Sequence, residues 1–148
     1  MDIGFALAVN KDNQFEAGYF GDAEKFLIYK VKDEMLSLSK ELSNNFRGMG
    51  GEPGQASKQK GETIAALLRK SNVNVLVARE FGKNISVINR YFIPVIVSKG
   101  DLDEVIGILN NHMHWIRDEL EHAKSKYRLF TIRGGILKTP VPESDSQG

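Results

Sequence analysis

A chain of 148 residues, 41% hydrophobic and 26% charged, has the size and make-up of one globular domain with its own core. A formal net charge of +1 provides no global field toward nucleic acid or an anionic membrane, so any anion preference must come from locally placed basic residues. The absence of cysteine excludes disulfide scaffolds, thiolate-held zinc or iron–sulfur sites and cysteine nucleophiles.

The opening Met1-Asp2-Ile3-Gly4 lacks the basic segment and long apolar run of a signal peptide. No stretch approaches the roughly 20 apolar residues of a membrane span. The expectation is a soluble, cytoplasmic protein without a membrane or nucleic-acid partner.

Residues 3–9 (IGFALAV) form a short apolar run closed by the turn residues Asn10-Lys11-Asp12-Asn13, which predicts a strand buried on both faces. Residues 26–32 (FLIYKVK) predict a second strand. Residues 34–43 (EMLSLSKELS) permit a strand or a short helix, and the strand is favoured because Asp33-Glu34 would make a tight hairpin with the run before. Residues 44–60 carry Gly48, Gly50, Gly51, Pro53 and Gly54 with little apolar content, and so predict a loop. Its residues 48–59 are expected to be mobile without ligand or to act as a lid. Its glycines lack the Gly-Lys-Ser/Thr ending of a phosphate-binding loop.

The second half alternates. Residues 62–70 have helical spacing, 73–78 (VNVLVA) read as a strand, 83–91 as a helix opening after Gly82, and 93–97 (IPVIV) as a strand. That order argues for parallel strands joined by crossover helices. Leu102, Val105, Leu109, Met113, Ile116, Leu120, Ala123 and Tyr127 then mark one apolar stripe on a helix of about seven turns. Residues 128–133 (RLFTIR) are a possible further strand. A single domain over residues 1–135 and a disordered tail over 136–148 are expected.

Three features carry a family resemblance. One is the first strand ending in Ala8-Val9-Asn10. Another is the stretch Gly18-Tyr19-Phe20-Gly21-Asp22-Ala23-Glu24-Lys25-Phe26-Leu27-Ile28-Tyr29, with its Phe-Gly-x-Ala turn and Phe-x-Ile-Tyr strand. The last is Phe81-Gly82-Lys83-Asn84 leading to Ile93-Pro94-Val95. Over roughly residues 1–109 the chain resembles the dinitrogenase iron–molybdenum cofactor biosynthesis family, NifX-like members among them. The resemblance implies a ribonuclease-H-like three-layer α/β fold. Its mixed five-stranded sheet would have order 3-2-1-4-5 with the second strand antiparallel to the rest, followed here by an extended C-terminal helix. It also implies binding of an iron–sulfur or iron–molybdenum cluster precursor. Tyr19 stands where the family carries histidine, and a phenol is a poorer ligand than imidazole for a soft metal.

In open α/β sheets, ligands sit beyond the carboxyl ends of the strands, where the strand order reverses. The first and fourth strands flank that point. The candidate ligand-binding residues are therefore Asn10, Tyr19, Phe20, Gly21, Arg79, Gly82, Lys83 and Asn84, with the amides opening a helix after Gly82 favouring an anion. A pocket of ordinary size requires Tyr19 and Gly82 to lie close together. No enzyme activity is expected: the first strand has no central carboxylate for two-metal chemistry, and no nucleophile arrangement has a supporting context.

The three histidines, His112, His114 and His122, all fall in the last predicted helix. His114 and His122 would lie about 12 Å apart along its axis, too far to share one ion. The functional reading is a small non-catalytic binding protein; a protein-interaction or regulatory domain with a degenerate pocket is the alternative. Trp115 lies off the apolar stripe. A second apolar side on the last helix predicts either a homodimer contact or burial by residues 128–133 within the same chain.

Overall fold

The computed structural model describes residues 2–45 and 55–141. At its centre, strand β1 (Gly4–Val9) is buried at all six positions. Such a strand needs cover on both faces, which accounts for its lack of polar alternation. It pairs antiparallel with β2 (Lys25–Lys32) and parallel with β4 (Val75–Ala78). Beyond β2 lies β3 (Met35–Ser43), joined by a hairpin in which Asp33 and Glu34 both take positive φ, as a tight hairpin turn demands. On the other side β5 (Ile93–Lys99) and β6 (Leu129–Arg133) continue in parallel, and β7 (Ile136–Thr139) returns antiparallel.

Among the described residues the sheet thus has seven strands in the order β3-β2-β1-β4-β5-β6-β7, not the expected five. The first five stand in the expected order. The additional pair follows from Phe130 and Ile132, whose burial beside Val95 and Val97 extends the apolar face past β5. Residues 136–139, expected to open a disordered tail, are β7 instead: Ile136 pairs with Ile132 across the ladder. Residues 142–148 of that tail lie outside the described residues.

Alternate side chains of β1 serve two cores, as the period of a strand requires. Phe5, Leu7 and Val9 pack in one cluster with Val105, Leu109, Met113 and Ile116. Ala6 and Ala8 share the other with Phe26, Ile64, Leu68 and Phe92. The result is three layers: α3 (Leu102–Asn111) and α4 (Met113–His122) on one face, α1 (Gln55–Lys70) and the single turn α2 (Ile85–Ile88) on the other.

Three helical expectations need correction. The single long helix is two, broken at His112, whose φ of −123° and ψ of 24° leave the helical region. Asn110, Asn111 and His112 are weak helix formers, and the Asn110 side chain instead accepts the Leu36 amide at 2.8 Å, tying α3 to the edge strand. The stripe still reaches Ile116, but the helix ends at His122, since Ala123 is extended to start the return to β6. Next, α1 begins at Gln55, so residues 55–60 of the expected loop are helical, while residues 46–54 lie outside the described residues. Finally, residues 83–91 hold a 3-10 turn (Gly82–Asn84) followed by α2 alone.

The apolar second side of the last helical segment is covered within the chain. Trp115 is partly buried against the core, with the Lys138 ammonium of β7 6.0 Å from its ring centre. The strand anticipated from residues 128–133 is present as β6. Among the described residues, no helix is long and apolar enough to cross a membrane.

Candidate functional site

The carboxyl ends of β1 and β4 lie side by side, and residues 10–24 build the surface above them. Asn10 begins this segment by turning back on itself. Its Oδ1 accepts the amides of Asp12 at 2.9 Å and Gln14 at 3.0 Å, and its Nδ2 donates to Gln14 Oε1 at 3.2 Å. These bonds close a turn in which Asn13 adopts φ 61°. The Glu16 amide then donates to the Ala8 carbonyl at 3.1 Å, bringing the chain back along β1 and placing Phe15 in the core.

A 3-10 turn, Phe20–Asp22, follows. The Asp22 carboxylate accepts the Tyr19 amide at 3.2 Å and so caps the turn. Phe20 anchors it from below: buried, and stacked with Phe26 at 4.9 Å and Phe81 at 5.6 Å between ring centres. The Phe20 amide donates to the Glu80 carbonyl at 2.8 Å. That bond joins the loop after β1 to the segment after β4 and sets Tyr19 beside Gly82.

Contact between the two is direct. Gly82 has φ +67°, and a methyl group built on it would stand 3.3 Å from Cε1 of the Tyr19 ring. The ring therefore covers the glycine backbone with no side chain between them. Tyr19 is 52% exposed, so its phenol faces solvent at the seam between the two loops. The expected proximity of Tyr19 and Gly82 is present.

The other candidates divide. The Arg79 guanidinium lies 5.9 Å from the Phe15 ring centre and, like the exposed Lys83, makes no ion pair within the described residues. The Gly21 carbonyl accepts from Asn44 Nδ2 at 2.9 Å. Asn84 belongs to the 3-10 turn by its backbone. Asn10 is engaged within its own turn, and Phe20 is a core anchor with no free surface to offer. The anion-favouring field expected of a helix opening at Gly82 is also lacking, because a 3-10 turn and one helical turn align too few peptide dipoles to sum.

Sequence reasoning passed over Asn44. It is buried, and its Nδ2 donates to the Gly21 and Ala23 carbonyls while its amide donates to the Glu24 carbonyl. It thus ties the end of β3 to the 3-10 turn. An asparagine closing a strand just before a glycine-rich stretch was the only available signal. The helix α1 touches this turn and begins at the same end of the sheet.

Four carboxylates surround the cluster. Glu16, Asp22 and Glu24 accept loop amides, and Glu80 is exposed. As a donor set for a soft metal cluster, these residues do not fit. Cysteine is absent, and the histidines sit on α4 or at its start, with His122 paired to Asp118 at 3.0 Å. Among the described residues, no group of three or more His, Cys, Asp or Glu could hold a metal ion.

The sequence matches the family described as dinitrogenase iron-molybdenum cofactor over residues 1–111, from the N-terminus to the last residue of α3. No curated protein matches the chain. The match takes in β1 to β5 and every residue of the carboxyl-end cluster, whereas α4, β6 and β7 follow it. Spanning 111 of 148 residues, it establishes that the chain belongs to the dinitrogenase iron-molybdenum cofactor family.

Proposed function

We propose that this family member is a non-catalytic binding protein that holds a small anionic ligand where β1 and β4 end. The observation that carries the reading is the seating of Tyr19 on the left-handed Gly82, above the Phe20–Glu80 backbone bond. Two separate loops converge there on one exposed phenol, and the strand-end rule places ligands at this point of an α/β sheet. Arg79 and Lys83 supply positive charge close by. The order of the first five strands supports a ribonuclease-H-like origin for the sheet.

The ligand is held through outer contacts. Without thiolate or imidazole at the cluster, a metal-cluster precursor binds only if it arrives with its own ligand shell, presenting anionic sulfur or oxygen to Tyr19, Arg79 and Lys83. Inorganic phosphate and tetrathiomolybdate, titrated separately into isotope-labelled protein, test this. Amide shifts at Tyr19, Gly21, Gly82 and Lys83, weakened in Arg79→Gln and Lys83→Gln, are the expected result. Absence of shifts at these amides with both probes would overturn the reading.

A second reading, a protein-interaction or regulatory domain, draws on the same exposed Tyr19. Large aromatic groups with a polar tip are enriched at interfaces. Under that reading neither probe binds, and Tyr19→Ala abolishes capture of a partner protein without altering the fold.

A further inference from the structure

The opposite end of the sheet holds a separate feature. Ser86, Asn89, Lys126, Tyr127, Arg128, Pro140 and Val141 line a cavity of about 150 Å³ between α2, the segment entering β6 and the segment leaving β7. Asn89 is 3% exposed. Its carbonyl accepts the Tyr127 amide at 2.8 Å, and its Nδ2 donates to the Tyr127 carbonyl at 3.1 Å. The first bond ties main chain to main chain, and the second holds the carboxamide through its Nδ2. Its Oδ1 is then left as the buried side-chain polar atom without a hydrogen-bond partner among the described residues.

A buried acceptor without a donor is costly, and native chains rarely tolerate one without a reason. Pro140, which lines the same cavity, has no N–H to offer. The remaining wall is basic: Lys126 and Arg128 are exposed, and among the described residues neither side chain is ion-paired and no lining residue is acidic. The Ser86 hydroxyl makes only a long contact, 3.5 Å, to the Lys83 carbonyl. An unpaired acceptor buried on the lining residue Asn89 and two exposed cations complement an anion that also carries a hydrogen-bond donor.

We infer that this cavity binds a small oxyanion bearing its own O–H, the chemistry of hydrogen phosphate or a phosphate monoester monoanion. The O–H donates to Asn89 Oδ1, and the charged oxygens meet Arg128, Lys126 and the Ser86 hydroxyl. Because Oδ1 is closed to solvent in the unliganded chain, engagement requires the segment at Pro140 and Val141 to move outward. That segment follows the edge strand β7.

Phosphate and sulfate separate the two requirements, since sulfate near neutral pH has the charge and shape but no O–H. Titrated into the full chain and followed by isotope-edited NMR, phosphate is expected to shift the Asn89 side-chain amide and the Tyr127 and Arg128 main-chain amides. Sulfate is expected to bind about ten-fold more weakly, the worth of one buried hydrogen bond. The exposed double change Lys126→Gln with Arg128→Gln, whose fold is checked by circular dichroism, should weaken phosphate at least about ten-fold by removing both charge-assisted contacts. Equal affinity for the two anions, no binding, or binding unaffected by the double change would each overturn the inference. Phosphate shifts confined to Tyr19, Gly82 and Lys83 would also overturn it while leaving the proposed function standing; shifts at Asn89, Tyr127 and Arg128, with none at Tyr19, Gly21, Gly82 or Lys83 for either phosphate or tetrathiomolybdate, would do the reverse.

Discussion

The two ends of the sheet are closed by different materials. At the amino end of β1, the main chain of residues 72–74 closes on Gly4, and the Asn74 and Lys30 side chains hold it there. Gly4 donates to Asn74 Oδ1 at 2.9 Å and accepts the Asn74 amide at 2.8 Å, while Lys30 Nζ holds the Ser71 and Asn72 carbonyls at 2.9 and 3.2 Å. A methyl group on Gly4 would collide with the Asn72 carbonyl oxygen and stand 2.9 Å from Lys30 Nζ. At the carboxyl end, Gly82 is closed over by the ring of one exposed tyrosine. The Asn72 carbonyl over Gly4 is backbone and cannot yield without disturbing the sheet, whereas the Tyr19 ring over Gly82 is a side chain that can rotate away. This contrast makes the Gly4 end of β1 the less yielding of the two.

The largest expected effect tests what supports the carboxyl end. Phe20→Ala removes the ring stacked with Phe26 and Phe81 and should cost about 4 kcal/mol, read by urea unfolding. A loss below about 1 kcal/mol would mean that the loop, not the core, holds the turn. Gly4→Ala should cost about 2–3 kcal/mol through overpacking against an immovable carbonyl. Gly82→Ala should cost about 1 kcal/mol, from the left-handed backbone, with Tyr19 swinging aside. If Gly82→Ala proved as damaging as Gly4→Ala, the contrast between the ends would fail.

The smallest effect is a pH dependence. Burial pushes the Lys30 ammonium below its ordinary value of 10.5; Lys40 pushes it the same way, and Asp2 opposes. Its folded pKa lies below the unfolded one, so between the two the unfolded chain binds more protons and stability rises with pH. Thermal melts approaching pH 10.5 should therefore show a slight gain that Lys30→Met lacks. Equal slopes for the two proteins would show that the amino-end lock carries no such charge cost.

How legible each part was follows from how local its cause is. The first five strands were readable because apolar runs and turn residues lie within a few positions of one another, and Asp33-Glu34 marks its own hairpin. The pairing of Tyr19 with Gly82 was reachable from the strand-end rule, since it depends only on which strands are neighbours. The engagement of Asn10 within its own turn, and the role of Phe20 as an anchor, were not readable: Asn10 and Phe20 have the same letters whether they face a ligand or the core. The break at His112 escaped because the apolar stripe passes through it unchanged, while the cause, Leu36 on a distant strand, lies 74 positions from Asn110.

The sequence by itself determined the class of the chain, the β1–β5 order through family membership, and the absence of thiolate chemistry. These depend on composition and on short-range pattern. Only the tertiary structure decided that residues 128–139 join the sheet as β6 and β7, and that Asn44 and Asn89 are buried at its opposite ends. Only there do Asn89, Lys126 and Arg128 meet around one cavity. The physical reason is that such outcomes depend on which surfaces remain uncovered after the local elements form, and a residue's neighbours in space are set by packing, not by its place in the chain.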